Sequence, residues 1–181
     1  LQERQLGQRL VIAPDMNYIE RAFNAVKYKE YSKAPALDIS IPTVHDAGLA
    51  PAGAHVLSAI VQFAPYAPQG GWEAHRETFT QLVVECIARY APGIEQQIVA
   101  SELLTPADLE RDYGMTGGHW HHGELGMDQV LMMRPFPGAT QYNAAFDGLY
   151  LCGAGAHPGG GVMGLAGRNA AREIIKRGAA A

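Results

Sequence analysis

This sequence has too few of the features that would mark a disulfide framework, a membrane span or a nucleic-acid binder. It holds only two cysteines, Cys86 and Cys152, each inside an apolar run. They read as buried thiols in a reducing compartment. No apolar run approaches the roughly 18 residues that a membrane-spanning helix needs, and no signal-peptide pattern is visible. Lys and Arg number 14 against 18 Asp and Glu, a net charge of −4. Without a basic footprint, nucleic acid is not an expected partner. Gly-x-Ser-x-Gly and Cys-x-x-Cys are both missing, which weakens hydrolase and thiol-redox readings. Leu1 stands where an initiator methionine is usual, which agrees with a truncated or processed product.

What the 181 residues do hold is ordinary globular material, 48% hydrophobic and 18% charged. That suits one domain or one and a half. Residues 1–13 have no clear period and read as a frayed connecting segment. Asp15 suits the cap of a helix in which Met16, Ile19, Phe23 and Val26 recur at helical spacing. Leu37, Ile39 and Ile41 alternate with Asp38 and Ser40, a half-buried strand stopped by Pro42. His55 to Phe63, nearly all small or apolar, reads as a central strand forming a hairpin with the one before. Phe79, Leu82, Val83, Cys86, Ile87 and Tyr90 mark the clearest helix, ended by Pro92-Gly93. A further strand is expected around Ile98 to Leu103. Thr105 then caps a short helix that has Pro106 at its first position and Asp108 three residues after the cap. Gly114 ends it. The fold class is α/β (α+β mixed), with helices packed on a sheet.

The chain is organised around its C-terminal stretch. Leu149 to Cys152 is a continuous apolar run, as in a strand covered on both faces. Six glycines follow between Gly153 and Gly164. A loop so poor in side chains can lie directly against a flat or charged ligand. A helix from about Val162 to Lys176 follows, with Val162, Leu165, Ala166, Ala170 and Ile174 on one face. Lys176, Arg177 and Gly178 suit its C-terminus. Its N-terminus, with unpaired N–H groups, faces back toward the glycines. Gly153-x-Gly155 is a near miss to the dinucleotide fingerprint, because Pro158 occupies the third glycine position. The pattern alone leaves open both a nucleotide-type site and a plain strand-to-helix connection.

The run Gly148–Gly164 resembles the C-terminal flavin motif of phytoene dehydrogenase-like FAD-dependent oxidoreductases in the amine oxidase superfamily. Within these it is most similar to the pyridine nucleotide-disulfide oxidoreductase domain-containing branch. Asp46-Ala47-Gly48-Leu49-Ala50-Pro51, Gln62-Phe63-Ala64-Pro65-Tyr66, Leu104-Thr105-Pro106-Ala107-Asp108-Leu109-Glu110, Gly117-Gly118-His119, Asp128-Gln129 and Arg134-Pro135 fit the same branch in order. The resemblance runs from about Pro14 onward. Such proteins are far longer, and nothing here matches their N-terminal pyrophosphate fingerprint. The resemblance therefore implies the C-terminal portion of such an enzyme. Residues 1–145 would belong to the substrate-binding domain. Residues 146–181 would supply the last strand and helix of a Rossmann-like FAD domain.

By the same resemblance Gly153, Ala154, Gly155, His157, Pro158, Gly160, Gly161, Val162 and Met163 hold FAD. The N–H groups around Gly161, Val162 and Met163 would stabilise negative charge on a flavin that accepts hydride from a lipophilic substrate. His157 would face the ring or hydrogen-bond the loop. Arg134 would pair with a carboxylate, approach the cofactor, or form a surface ion pair. His119, His121, His122 and Glu124 admit a metal site, but a polar loop lining the cofactor cleft is the reading preferred here. Glu124 and Asp128 make a poor general acid/base pair. Met127, Leu131, Met132 and Met133 suit core packing or a tunnel wall. Tyr66, Tyr142 and Tyr150 read as packed aromatics. A chain missing its N-terminal FAD domain would leave strand edges and apolar faces uncovered. That domain, or a second copy in a homodimer, is the expected partner. The alternative is an inactive, self-associating substrate-domain module. The expected location is cytoplasmic.

Overall fold

A computed structural model describes residues 3–119, 126–129, 133–160 and 163–178. The chain divides into two compact units, Leu1–Ala107 and Asp108–Ala181. The division falls inside a helix, and the boundary expected at 145/146 lies within the second unit.

A short helix α1 (Glu3–Leu6) leads into strand β1 (Leu10–Ile12). Helix α2 (Met16–Val26) begins as its sequence requires: the Asp15 carboxylate accepts the Tyr18 N–H at 2.7 Å, satisfying one of the first-turn donors. Strand β2 (Leu37–Ser40) follows, and then β3 (Ser58–Val61). The three form an antiparallel sheet in the order β1-β2-β3, with Leu10 opposite Ile39 and Leu37 opposite Val61. The hairpin is therefore present, but the middle strand is β2. The His55–Phe63 stretch supplies an edge, and only four of its residues pair. Residues 1–13, expected to fray, contribute β1. A three-residue strand is too short to display a period.

Helix α3 (Arg76–Ala88) presents Phe79, Val83, Cys86 and Ile87 to the core at helical spacing. Ile12, Leu37, Ile39, Cys86 and Ile87 form the buried cluster. Each large side chain removed from water there contributes about 1.5–3 kcal/mol. Burial also pushes the Cys86 thiol pKa up, away from reactive thiolate. Beside it Tyr31, Trp72, His75 and Phe79 pack together, Tyr31 and Phe79 with centroids 4.6 Å apart. The Trp72 indole N–H donates to the Pro65 and Tyr66 carbonyls, so burying it strands no donor. Helix α3 stops at Ala88, earlier than the pattern implied, and Tyr90 lies exposed in the closing turn.

The strand expected at Ile98–Leu103 does not form. Ile94–Gln97 is a 3-10 turn entered through Gly93 at φ 87°, and Val99 beyond it is 99% exposed. Among the described residues no strand pairs with this run, so nothing there rewards extension into a ladder. Helix α4 (Pro106–Tyr113) follows with Pro106 first, and Gly114 at φ 66° closes it. The last helix, α5 (Leu165–Gly178), starts after Gly164 at φ 64° and buries Ala166 and Ala170. Ile174, expected on the same buried face, is exposed. Among the described residues no helix is long and apolar enough to cross a membrane.

Candidate functional site

The segment preceding the glycines turns back on itself. Gly148, at φ 76°, allows the tight return, and the Leu149 N–H donates to the Phe146 carbonyl. Asn143 and Tyr150 then form an isolated antiparallel bridge. Donation from Ala144 N–H to Leu149 O at 2.9 Å and from Leu151 N–H to Tyr142 O frames it. This is where a strand buried on both faces was expected from Leu149 to Cys152. Instead Leu149 is half-exposed and Cys152 exposed. The expectation of two buried thiols therefore holds for Cys86 alone. A parallel strand needs neighbours to complete its ladder. Among the described residues of this unit the only strand-like partner is the bridge.

Two successive turns then carry the chain through the glycines. Ala156 N–H donates to Gly153 O at 3.0 Å, and Gly159 N–H to Ala156 O at 2.8 Å. Ala156 is buried between them. Gly159 sits at φ 104°, a conformation that side-chain-bearing residues avoid. Gly153 and Gly155 are different. Neither has a positive φ, and a Cβ built on either would meet no atom of the described residues within 4 Å. Neither backbone conformation nor internal crowding therefore demands glycine at these two positions.

Arg134 is 2% exposed, and its Nε donates to the Ala154 carbonyl at 3.0 Å. Arg134 is therefore not a surface residue. The loop is tied from the helix side too. A Cβ built on Gly167 of α5 would lie 3.8 Å from the Cys152 carbonyl oxygen, so the helix backbone runs near the loop there. Asn169 Nδ2 donates to the Tyr142 hydroxyl at 2.8 Å, and Arg177 bridges Asn143 Oδ1 and Glu173 Oε1. The Arg177 guanidinium holds the Glu173 carboxyl below its usual range. Asn169 escaped the sequence reading because a lone amide in a helix carries no pattern. Its spacing from Gly164 is the one available signal, since it places Asn169 in the second turn of α5.

Of the residues singled out from sequence, Ala154, Gly155, His157 and Gly160 are half-buried in this loop, while Gly153, Pro158 and Met163 are exposed. Gly161 and Val162 lie outside the described residues, as do His121, His122, Glu124, Leu131 and Met132. His119 and Asp128 are exposed. No three His, Cys, Asp or Glu side chains converge among the described residues. Met127, 88% exposed, and Met133, half-exposed, are not core residues. Tyr66, also half-exposed, is not fully packed.

No protein-family model matches the chain. Individual proteins do. Over 165 residues, 90% of this chain, it is 43% identical to the rat (Rattus norvegicus) pyridine nucleotide-disulfide oxidoreductase domain-containing protein 2. The resemblance to the pyridine nucleotide-disulfide oxidoreductase domain-containing branch is thereby shown. The mouse protein of the same name matches at the same identity and coverage. Phytoene desaturase (neurosporene-forming) of Cereibacter sphaeroides is 28% identical over 85% of this chain and 31% of its own length. Carrot (Daucus carota) prolycopene isomerase is 33% identical over 71% of this chain and 21% of its own. The chain spans only 28% of the length of the rat and mouse relatives.

Proposed function

We propose that this chain is the C-terminal part of an FAD-dependent oxidoreductase that dehydrogenates a lipophilic small molecule. The observation that carries the reading is the open space at Gly153 and Gly155. Glycine there costs backbone entropy that no contact among the described residues repays. A flat cofactor lying against the loop gives the missing Cβ atoms a purpose. Gly153, Ala154, Gly155, His157, Pro158, Gly160 and Met163, with Gly161 and Val162, would line that contact. When bound, the flavin supplies the hydride acceptor. The chain's own residues supply backbone donors, a closely approachable surface and the exclusion of water.

In this reading residues 1–145 belong to the substrate-binding domain and 146–181 complete the FAD domain. Leu149 to Cys152 would become a strand once neighbouring strands complete its ladder. The names of the desaturase and isomerase relatives support a lipophilic, carotenoid-type substrate by analogy. A cytoplasmic setting fits the two free cysteines. The test joins this chain to the N-terminal portion of the rat relative and measures the visible absorbance of bound flavin. The joined protein should retain FAD through gel filtration. A folded joined protein without flavin would sink the proposal.

A second reading is an inactive module that self-associates. Exposed Phe146, Leu149, Met163 and Ile175 favour it, since such side chains seek cover. Light scattering on the chain alone tests it: a dimer that takes up no FAD supports this reading, and a monomer rejects it.

A further inference from the structure

A buried guanidinium beside a ligand loop is costly unless its donors are used. Arg134 spends its Nε–H on the carbonyl of Ala154, the residue between Gly153 and Gly155. Among the described residues the cis bonds are Arg134-Pro135 and His157-Pro158, so the Ala154–Gly155 peptide is trans. In a planar trans peptide the carbonyl and the following N–H point in opposite directions. Holding the Ala154 carbonyl toward Arg134 therefore turns the Gly155 N–H away from it. Among the described residues no acceptor takes that N–H. The space beside the Gly155 Cα is open as well.

We propose that Arg134 is a positioning residue: it fixes the Ala154–Gly155 peptide plane so that the Gly155 N–H is presented, beside the open side of the loop, to an electron-rich atom of the cofactor. The ligand half rests on the flavin reading; the brace itself does not. A charge-assisted hydrogen bond is stronger than a neutral one, so a buried arginine can hold a glycine-rich turn that lacks side-chain packing of its own. The arrangement also raises the loop's affinity for an anionic or electron-rich group, since one peptide is already aimed before binding.

Amide hydrogen exchange on the full chain tests the brace without any ligand. In R134M the hydrogen-bonded amides of Ala156 and Gly159 should exchange about tenfold faster or more, while the β1-β2-β3 sheet keeps its protection. R134K, which retains a charged donor, should recover part of the loss. Unchanged loop exchange in R134M overturns the proposal. Should methionine at this buried position unfold the unit, the unmodified chain still decides: the Arg134 Nε–H must exchange slowly, and exchange as fast as that of exposed Arg89 overturns the proposal. The ligand half is read by FAD titration of the joined protein. R134K and G155A should each weaken FAD about tenfold with the melting temperature unchanged, and shift the absorbance of the bound flavin. Wild-type affinity in both variants overturns the Gly155 assignment. If the unmodified joined protein binds no FAD, the flavin reading falls with that assignment, and exchange alone judges the brace.

Discussion

The two units of this chain keep water out in different ways. In the first, the sheet and α3 bury full-sized side chains: Leu37, Ile39, Trp72, Phe79 and Ile87 are all removed from solvent. In the second, every buried apolar side chain among the described residues is alanine, at positions 139, 156, 166 and 170. Its one deeply buried long side chain there is a cation, Arg134, and the larger apolar groups Phe146, Leu149, Met163 and Ile175 face outward. The first unit therefore carries a hydrophobic core of its own. The second is held by turns, a bridge and polar ties, so a partner or cofactor has more surface left to cover. Stability is concentrated in one region and the candidate site in the other, as expected where binding loops come from the less stable end of a fold.

The largest effect that would sharpen this contrast is Phe79→Ala. Removing a ring that is 2% exposed should cost about 3–5 kcal/mol. Urea unfolding followed by tryptophan fluorescence reads it directly, because Trp72 packs 5.3 Å from that ring. A loss below about 1 kcal/mol would break the claim of a self-sufficient first core. Next is Ala170→Gly in α5. Helix propensity and one lost methyl together predict about 1–2 kcal/mol, seen as faster amide exchange across Leu165–Gly178. A much larger loss would show that the second unit leans on its alanine contacts as heavily as the first leans on Phe79.

The smallest effect is a pH dependence in α4. Arg111 grips Asp112 through two hydrogen bonds of 2.7 Å and also reaches Asp108 at 2.8 Å. Asp112 sits in the last turn of its helix, where the dipole disfavours an anion. The guanidinium hydrogen bonds outweigh that and hold the Asp112 carboxyl below its usual range. A depressed folded-state pKa gives stability that is present above the ordinary aspartate value and lost as pH falls through the depressed one. Exchange in α4 should accordingly rise below about pH 4, and R111A should flatten that rise. An α4 profile independent of Arg111 would remove the pair from the account.

The legible parts of the fold were those with enough residues to show a period or a cap. Asp15, the alternation at Leu37–Ser40, the Phe79–Ile87 face and the helix start at Pro106 all appear as read. Short or conditional elements escaped. Leu10–Ile12 is too brief to announce itself, and Ile98–Leu103 has strand-like composition with no edge to join. At the candidate site the glycine loop and Arg134 were visible, but not which way Arg134 turned. Cys152 shows why: an apolar neighbourhood in sequence does not specify what lies above it in space.

By itself, then, the sequence determined the helices, the hairpin and the glycine-rich loop, because these follow from spacing, capping and the missing Cβ, all local properties. Only the tertiary structure decided that β2 lies at the centre of the sheet, that Cys152 faces solvent, and that Arg134 is buried against Ala154. Those outcomes depend on which distant segment arrives to supply a ladder, a cover or an acceptor, and no local pattern encodes that arrival.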